Sequence, residues 1–128
     1  MQLQDLLYSQ GFGTRRVCAG LIQQGFVTVD GVDTAQPAMD LIATDGLRFT
    51  VQGTPWAYHA KAFLMLHKPS GTECSQKPSA WPSIYTLLPS PLRQRPVKGG
   101  QPGVQAIGRL DQDTTGLLLM SDDGQFIH

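Results

Sequence analysis

The stretch AIGRLDQDTTGLLLMSDDGQFIH, residues 106–128, decides how this sequence is read. It sets two carboxylates, Asp111 and Asp113, between a short apolar strand pattern and a run of leucines. VQAIGRLD (104–111) predicts one strand, and GLLLMSDDG (116–124) predicts an apolar strand closing in a turn at Asp122-Asp123-Gly124. Leu117, Leu118, Leu119 and Met120 are expected in the core. DTTG (113–116) reads as a turn or cap in which Asp113 satisfies backbone amides. Asp111 therefore sits at the edge of a core, where a rigid strand can hold a carboxylate in place.

Working outward, FLMLHKPSG (63–71) predicts a buried strand that ends at Pro69 and Gly71. Seven of the nine prolines fall between Pro69 and Pro102, so that stretch is expected to be mostly loop. One short helix is expected at PSIYTLL (82–88), since proline is tolerated at a first helical position. LPSPLRQRPVKGGQPG (88–103) has neither helix nor strand period and reads as an exposed, mobile loop. QGTPWAYHAK (52–61) reads as a linker.

The first fifty residues change period twice. Leu3, Leu6 and Leu7 share one face of a helix over 1–10, which Gly11 is placed to end. Thr14 is placed as the N-cap of a second helix, along which Val17 or Cys18 and Leu21 or Ile22 recur, and Gly25 stops it. Val27 and Val29 then alternate with Thr28, and Asp30-Gly31 signals a tight turn. Asp45-Gly46 signals another, before a strand through Leu47, Phe49 and Val51.

Length and composition bound the rest. A chain of 128 residues holds one ordinary domain or two very small ones. No apolar run is long enough to cross a bilayer, and MQLQDLLYSQ lacks the pattern of a signal peptide, so a cytoplasmic protein is expected. Cys18 and Cys74 lie far apart and outside any CxxC or Cys/His cluster, which argues against structural zinc and a disulfide; Cys18 reads as a buried thiol. His59, His67 and His128 form no ligand set and read as structural or exposed. Charge cancels overall, but residues 1–60 carry three basic and five acidic groups, and residues 61–128 seven basic and five acidic. No acid lies between Glu73 and Asp111, whereas Lys77, Arg93, Arg95, Lys98 and Arg109 do, so a local basic face is expected.

Two resemblances organise these readings. MQLQDLLYSQGFGTRRVCAGLIQQGFVTVDG (1–31) resembles the alpha-L, S-four type RNA-binding domain, with the match running from Met1 to about Val51. The resemblance implies that Arg15 and Arg16, at the start of the second helix, contact RNA phosphate, and that Val27, Val29, Asp30 and Gly31 form the strand-turn part. The unit departs from that family in being net acidic. Each neutralised phosphate adds roughly 0.9 to the salt slope of binding, so two arginines make this module an assistant in RNA attachment.

GRLDQDTTGLLL (108–119) resembles the central motif of pseudouridine synthases, in the branch that carries an alpha-L domain and acts on ribosomal RNA. FLMLHKPSG resembles the upstream motif of the same branch, and AIGRLDQDTTGLLLMSDDGQFIH looks most like its small-subunit ribosomal group. The resemblance implies an α+β chain: an alpha-L domain over 1–52, a linker over 53–61, and the N-terminal part of a mixed-sheet catalytic domain over 62–128. It implies isomerisation of a uridine in 16S ribosomal RNA, without a cofactor or metal, on Asp111. Whether that carboxylate acts as nucleophile or base stays open; an ordinary aspartate, with a pKa of about 3.9, is ionised for either role. Arg109, Lys68 and Gly71 are implied as active-site support. The target base must leave its stack, at a cost of a few kcal/mol that RNA contacts offset, and Lys68, Arg93, Arg95 and Lys98 are candidates for those contacts. The expected partner is ribosomal RNA or a subunit assembly intermediate, with no membrane, and the complete enzyme is expected to be a monomer.

Two rivals remain. Asp111, Asp113, Asp122 and Asp123 can be read as a divalent-metal site, although the chain lacks a phosphate-cradling glycine loop. The other is a non-catalytic RNA-binding fragment. Members of the branch continue beyond this motif and supply a tyrosine and a basic residue, whereas Tyr8, Tyr58 and Tyr85 all precede it. The chain is therefore expected to be the front part of an enzyme, inactive by itself.

Overall fold

A computed structural model describes residues 1–127; His128 lies outside the described residues. The chain forms two layered units, each with its own apolar core.

In the first unit, α1 (Leu3–Ser9) and α2 (Arg15–Gln23) pack on a four-stranded antiparallel sheet. Its strands are β1 (Val27–Val29), β2 (Val32–Thr34), β3 (Arg48–Val51) and β4 (Thr54–Ala57), in the order β2-β1-β3-β4. The Thr14 hydroxyl accepts from the Val17 amide at 3.2 Å, so the N-cap is where the sequence placed it. Leu3, Leu6, Leu7, Cys18, Ile22, Val27 and Phe49 are buried together. Cys18 is a free thiol, and burial pushes its pKa up to about 11. Asp30 and Gly31 both take positive φ, 50° and 78°, as a two-residue hairpin turn requires.

Gln52 and Gly53 repeat that geometry, at 51° and 83°. They turn the chain into β4, which pairs with β3 from Arg48↔Ala57 to Val51↔Thr54. The segment read as a linker thus carries the fourth strand of the first sheet. Pro55 obscured it, yet β4 is an edge strand, where a residue without an N–H is tolerated. Tyr58 joins the first core as well, so the connection between units narrows to a few residues after it.

In the second unit, β5 (Phe63–Lys68), β6 (Gln105–Ile107) and β7 (Gly116–Ser121) form an antiparallel sheet in the order β5-β7-β6. A 3₁₀ turn (Ile84–Leu87) and α3 (Ser90–Gln94) precede β6, and α4 (Gly124–Ile127) follows β7. One isolated parallel bridge, Glu73↔Ser83, ties down the proline-rich stretch. The architecture is the expected α+β arrangement, with both named sheets antiparallel.

Three local expectations are corrected here. Residues 88–103 are not loop throughout: α3 occupies part of them, the Val104 amide donates to the Leu92 carbonyl at 2.9 Å, and the Gly103 amide donates to the Arg95 carbonyl at 2.7 Å. Asp122-Asp123-Gly124 is not a simple turn, because Asp122 is buried in an ion pair with Arg95 and Gly124 opens α4. The leucine run splits by strand alternation. Leu118 and Met120 enter the core with Ile84, Tyr85 and Val104, whereas Leu117 and Leu119 stay 60% and 42% exposed.

That alternation leaves one face of the second sheet apolar and open. Met65 pairs with Leu119 and His67 with Leu117, and Phe63 lies on the same side of β5 as Met65 and His67. Contiguous apolar surface of this kind drives association. Sedimentation of residues 1–128 is expected to give concentration-dependent oligomers. Met65→Lys combined with Leu117→Lys is expected to shift the chain to monomer, and an unchanged distribution would assign association to another surface.

Candidate active site

Asp111 lies in the turn between β6 and β7, and this turn is built largely by its neighbour. β5 ends at Lys68, whose side chain is fully buried. Its ammonium donates to three backbone carbonyls, those of Pro69 (3.1 Å), Gln112 (3.2 Å) and Thr114 (2.9 Å). A buried cation needs such partners, because its hydration is lost. Two of the three carbonyls belong to the turn that carries Asp111.

Further bonds tighten the same turn. The Gly71 amide donates to the Gln112 carbonyl at 2.7 Å, with Gly71 at a φ of 83° that suits glycine. The Ser70 hydroxyl donates to the Asp113 carbonyl at 3.3 Å. The Leu110 amide donates to the Cys74 sulfur at 3.4 Å, and the thiol lies at the same distance from the Leu110 carbonyl. Finally, the Thr114 amide donates to the Asp111 carbonyl at 3.0 Å.

The two carboxylates of the turn remain exposed, and neither takes a hydrogen bond or ion pair among the described residues. The expected cap at Asp113 is therefore corrected: its backbone carbonyl is bonded, not its carboxylate. Asp122 is committed to Arg95, so the four aspartates form no single cluster, and among the described residues no group of three or more metal-ligating side chains converges.

Beside the turn lies an open polar cleft of about 480 Å³, lined by Arg109, Lys77, Cys74, Tyr85, Gln101 and Gln105, among others. Asp111 is not part of that lining. A second cleft of about 390 Å³ holds Arg93 and shares Gln76, Tyr85 and Gln101 with the first. Arg93, Lys77 and Arg109 therefore edge one trough that opens next to the Asp111 turn. Tyr85 fixes its floor, with its hydroxyl accepting from the Ala106 amide at 2.9 Å.

Glu73 clamps the proline-rich loop that follows it. Its carboxylate accepts from the amides of Trp81 (2.8 Å), Ala80 (3.1 Å) and Ser79 (3.1 Å). The amides of Trp81, then Ala80, hold its pKa below the ordinary 4.5.

The predicted RNA-contact residues divide. Arg16, Arg93 and Lys98 are exposed. Arg15 is already engaged by its own unit, paired with Asp5 and stacked 4.2 Å over the Tyr8 ring. Arg95 is 3% exposed and spends its guanidinium inside the protein, which corrects its assignment to RNA phosphate. Lys68 is likewise no phosphate contact, being buried behind the turn it supports. Arg109 lines the trough and makes no ion pair with Asp111 among the described residues. Lys77 is the cation that motif reading passed over; only the acid-free charge distribution pointed to it.

The RNA pseudouridylate synthase family model matches residues 62–128, just over half of the chain. The chain belongs to this family. Its first unit matches the S4 domain model over residues 1–38. Among curated relatives of this pseudouridylate synthase chain, an uncharacterized RNA pseudouridine synthase, YtzG, of Bacillus subtilis is 33% identical over all of the chain and 50% of its own length. The ribosomal small subunit pseudouridine synthase A of Pasteurella multocida is 34% identical, over 100% and 51%. Its namesake from Escherichia coli K12 is 36% identical, over 97% and 50%. The chain thus spans about half the length of the curated relatives it matches. A solved structure described as a pseudouridylate synthase aligns with a TM-score of 0.43 at 26% identity, covering the whole chain and 51% of that protein.

Two outcomes are expected of this clamped turn and its surroundings. Lys68→Met should destabilise the chain by at least about 1–3 kcal/mol, since buried carbonyls lose their donor. The turn amides from Gln112 to Thr114 should exchange faster, and unchanged exchange and melting would sink the role of Lys68. The Glu73 clamp should contribute stability above pH 4.5 and lose it as pH falls through the lowered folded value. The Trp81 amide resonance should follow that acid transition, and Glu73→Gln should remove it.

Proposed function

We propose that the chain supplies the RNA-binding module and the catalytic aspartate of an enzyme that isomerises a uridine to pseudouridine in 16S ribosomal RNA. The observation that carries this reading is the Asp111 turn, clamped from behind by Lys68, Gly71, Ser70 and Cys74 while its carboxylate stays free. A group that must meet a sugar and a uracil edge benefits from such support, because misplacement costs rate. Asp113 shares the exposure but not the position of the family motif's aspartate, so Asp111 takes the catalytic role.

Isomerisation breaks the bond from the sugar to the ring nitrogen and remakes it to a ring carbon, with no net oxidation. The chemistry needs one ionised carboxylate near a base held out of its stack. The trough edged by Arg93, Lys77 and Arg109 has the charge to hold the flanking phosphates, and Arg16 and Lys98 have the exposure to add to it. The small-subunit names of the relatives from Pasteurella multocida and Escherichia coli support ribosomal RNA as the substrate. A cytoplasmic location fits that substrate, and no described helix is long and apolar enough to cross a membrane. Monomeric action of the complete enzyme belongs to the same proposal.

The test is Asp111→Asn in the complete protein, assayed on 16S ribosomal RNA. Pseudouridine formation should be abolished and RNA affinity retained; turnover in that variant would refute the assignment. Residues 1–128 alone should bind the RNA without converting it. Replacing Lys77 and Arg93 by Ala should make the salt dependence of binding shallower by roughly 0.9 per lost phosphate contact, and an unchanged slope would remove the trough from the interface.

A further inference from the structure

The group that left the RNA-contact set has another use. The Arg95 Nε donates to Asp122 Oδ2 at 2.6 Å, in the second unit. Its Nη1 donates to Gln10 Oε1 at 3.1 Å, at the end of α1 in the first unit. Its Nη2 donates to the carbonyls of His59 (2.8 Å) and Ala60 (3.1 Å), in the connection between units. Asp122 Oδ1 accepts from the Ala62 amide at 2.8 Å, while Gln10 exchanges bonds with the His59 amide (3.2 Å) and carbonyl (3.1 Å). Gln10, Arg95 and Asp122 are 6%, 3% and 8% exposed. A fully bonded buried network of this kind admits one arrangement, because any rotation leaves polar groups unpaired.

Backbone contact acts at the same place. A Cβ on Gly11 would lie 2.0 Å from the Pro91 carbonyl oxygen and 2.9 Å from the Arg95 nitrogen. The two units therefore touch main chain to main chain, where only glycine fits. Apolar packing does not finish the contact: a partly open cavity of about 150 Å³ remains among Phe12, Trp56, Leu64 and Leu92. Polar bonds, rather than apolar filling, define the angle between units.

We propose that Gln10, Arg95 and Asp122 form a locked joint that makes the two units one rigid body, presenting the Arg16 surface and the trough beside the Asp111 turn to RNA at a fixed spacing. The RNA part rests on the proposed function; the rigidity of the joint does not. These residues are positioning residues, since they act through the geometry of others. A rigid composite surface binds without having to order two tethered modules.

The test compares the parent chain with Arg95→Met/Asp122→Asn, which removes both charges together and keeps an acceptor for Ala62. Gln10→Leu is the milder variant, leaving the ion pair intact. Spin labels on Gln23→Cys and Thr86→Cys, both exposed and one in each unit, go into a background with Cys18→Ala and Cys74→Ser. Without RNA, the parent should give one narrow distance and the variants a broader spread, and trypsin should cut after the exposed Lys61 faster in the variants. A broad spread in the parent, or an unbroadened variant, overturns the joint. If the double variant does not fold, Gln10→Leu decides by the same two readouts.

RNA supplies the second arm. Affinity for 16S ribosomal RNA should fall about tenfold in the loosened variants, a usual size for coupling between sites. The salt slope should stay unchanged, because no phosphate contact is removed. A slope shallower by about 0.9 would return Arg95 to the RNA interface and overturn the proposal. No RNA binding by the parent would overturn the proposed function and the RNA part with it, while the label distances still decide the joint.

Discussion

The side chain of Lys68 is fully buried, and its ammonium pairs with no carboxylate among the described residues. Among the described residues it meets the dipoles of three carbonyls, two of them in the turn that carries Asp111. A desolvated charge on such partners fixes the path of the chain that supplies them, because each carbonyl must point inward. With the main chain turned toward Lys68, the side chains of Asp111 and Asp113 are left outside. Burial of one cation thus sets the exposure of the candidate catalytic carboxylate. The same end of β5 provides Ser70, Gly71 and Cys74, so one short segment after Pro69 dictates the geometry of a turn some forty residues later.

Arg95 answers the same physical problem in a different way. It pairs with a buried carboxylate and fills its remaining donors with carbonyl and amide oxygens from the other unit. Removing one partner of a buried pair costs about 3–5 kcal/mol, largely because the other charge stays behind. Such pairs contribute less to net stability than to the choice of one arrangement among several. Both buried cations of the second unit are therefore geometric devices, whereas Arg93, Lys77 and Arg109 stay exposed along the trough.

Where the sequence was legible, a local rule sufficed. Thr14 capped α2, Asp30-Gly31 turned β1 into β2, and the apolar faces of α1 and α2 lay where helical spacing put them. The misses share a different origin. Gln52-Gly53 forms the same kind of turn as Asp30-Gly31, but a glutamine at positive φ is a weaker signal than an aspartate, and Pro55 masked an edge strand. Arg95 looked like a loop cation because its partner acid, Asp122, lies 27 residues further along the chain. Lys68 was marked as belonging to the site, yet whether it faced phosphate or carbonyls depended on a contact across the sheet. Long-range pairing of charges is written in no local period. The aspartate motif was legible as a motif, and what the fold adds is the reason its carboxylates stay free.

The leucine run makes the same point about layers. A run of four apolar residues reads as uniformly buried, but a strand sends alternate side chains to opposite faces. In β7, Leu118 and Met120 meet Ile84 and Val104, and Leu117 and Leu119 stay exposed on the other side. Sheets with apolar residues on both faces are ordinarily covered on both. The second unit has its inner cover, made by the 3₁₀ turn, α3 and Val104, whereas on the outer side, among the described residues, Phe126 of α4 packs edge-on against Phe63. The Asp111 turn hangs from the end of this half-covered sheet. Its clamp draws only on backbone and side chains of the described residues, so the turn is held in place whether or not the outer face is covered. Positioning of the carboxylate and completion of the sheet are thus separate physical matters, one settled by Lys68 and the other by whatever meets Met65 and Leu117.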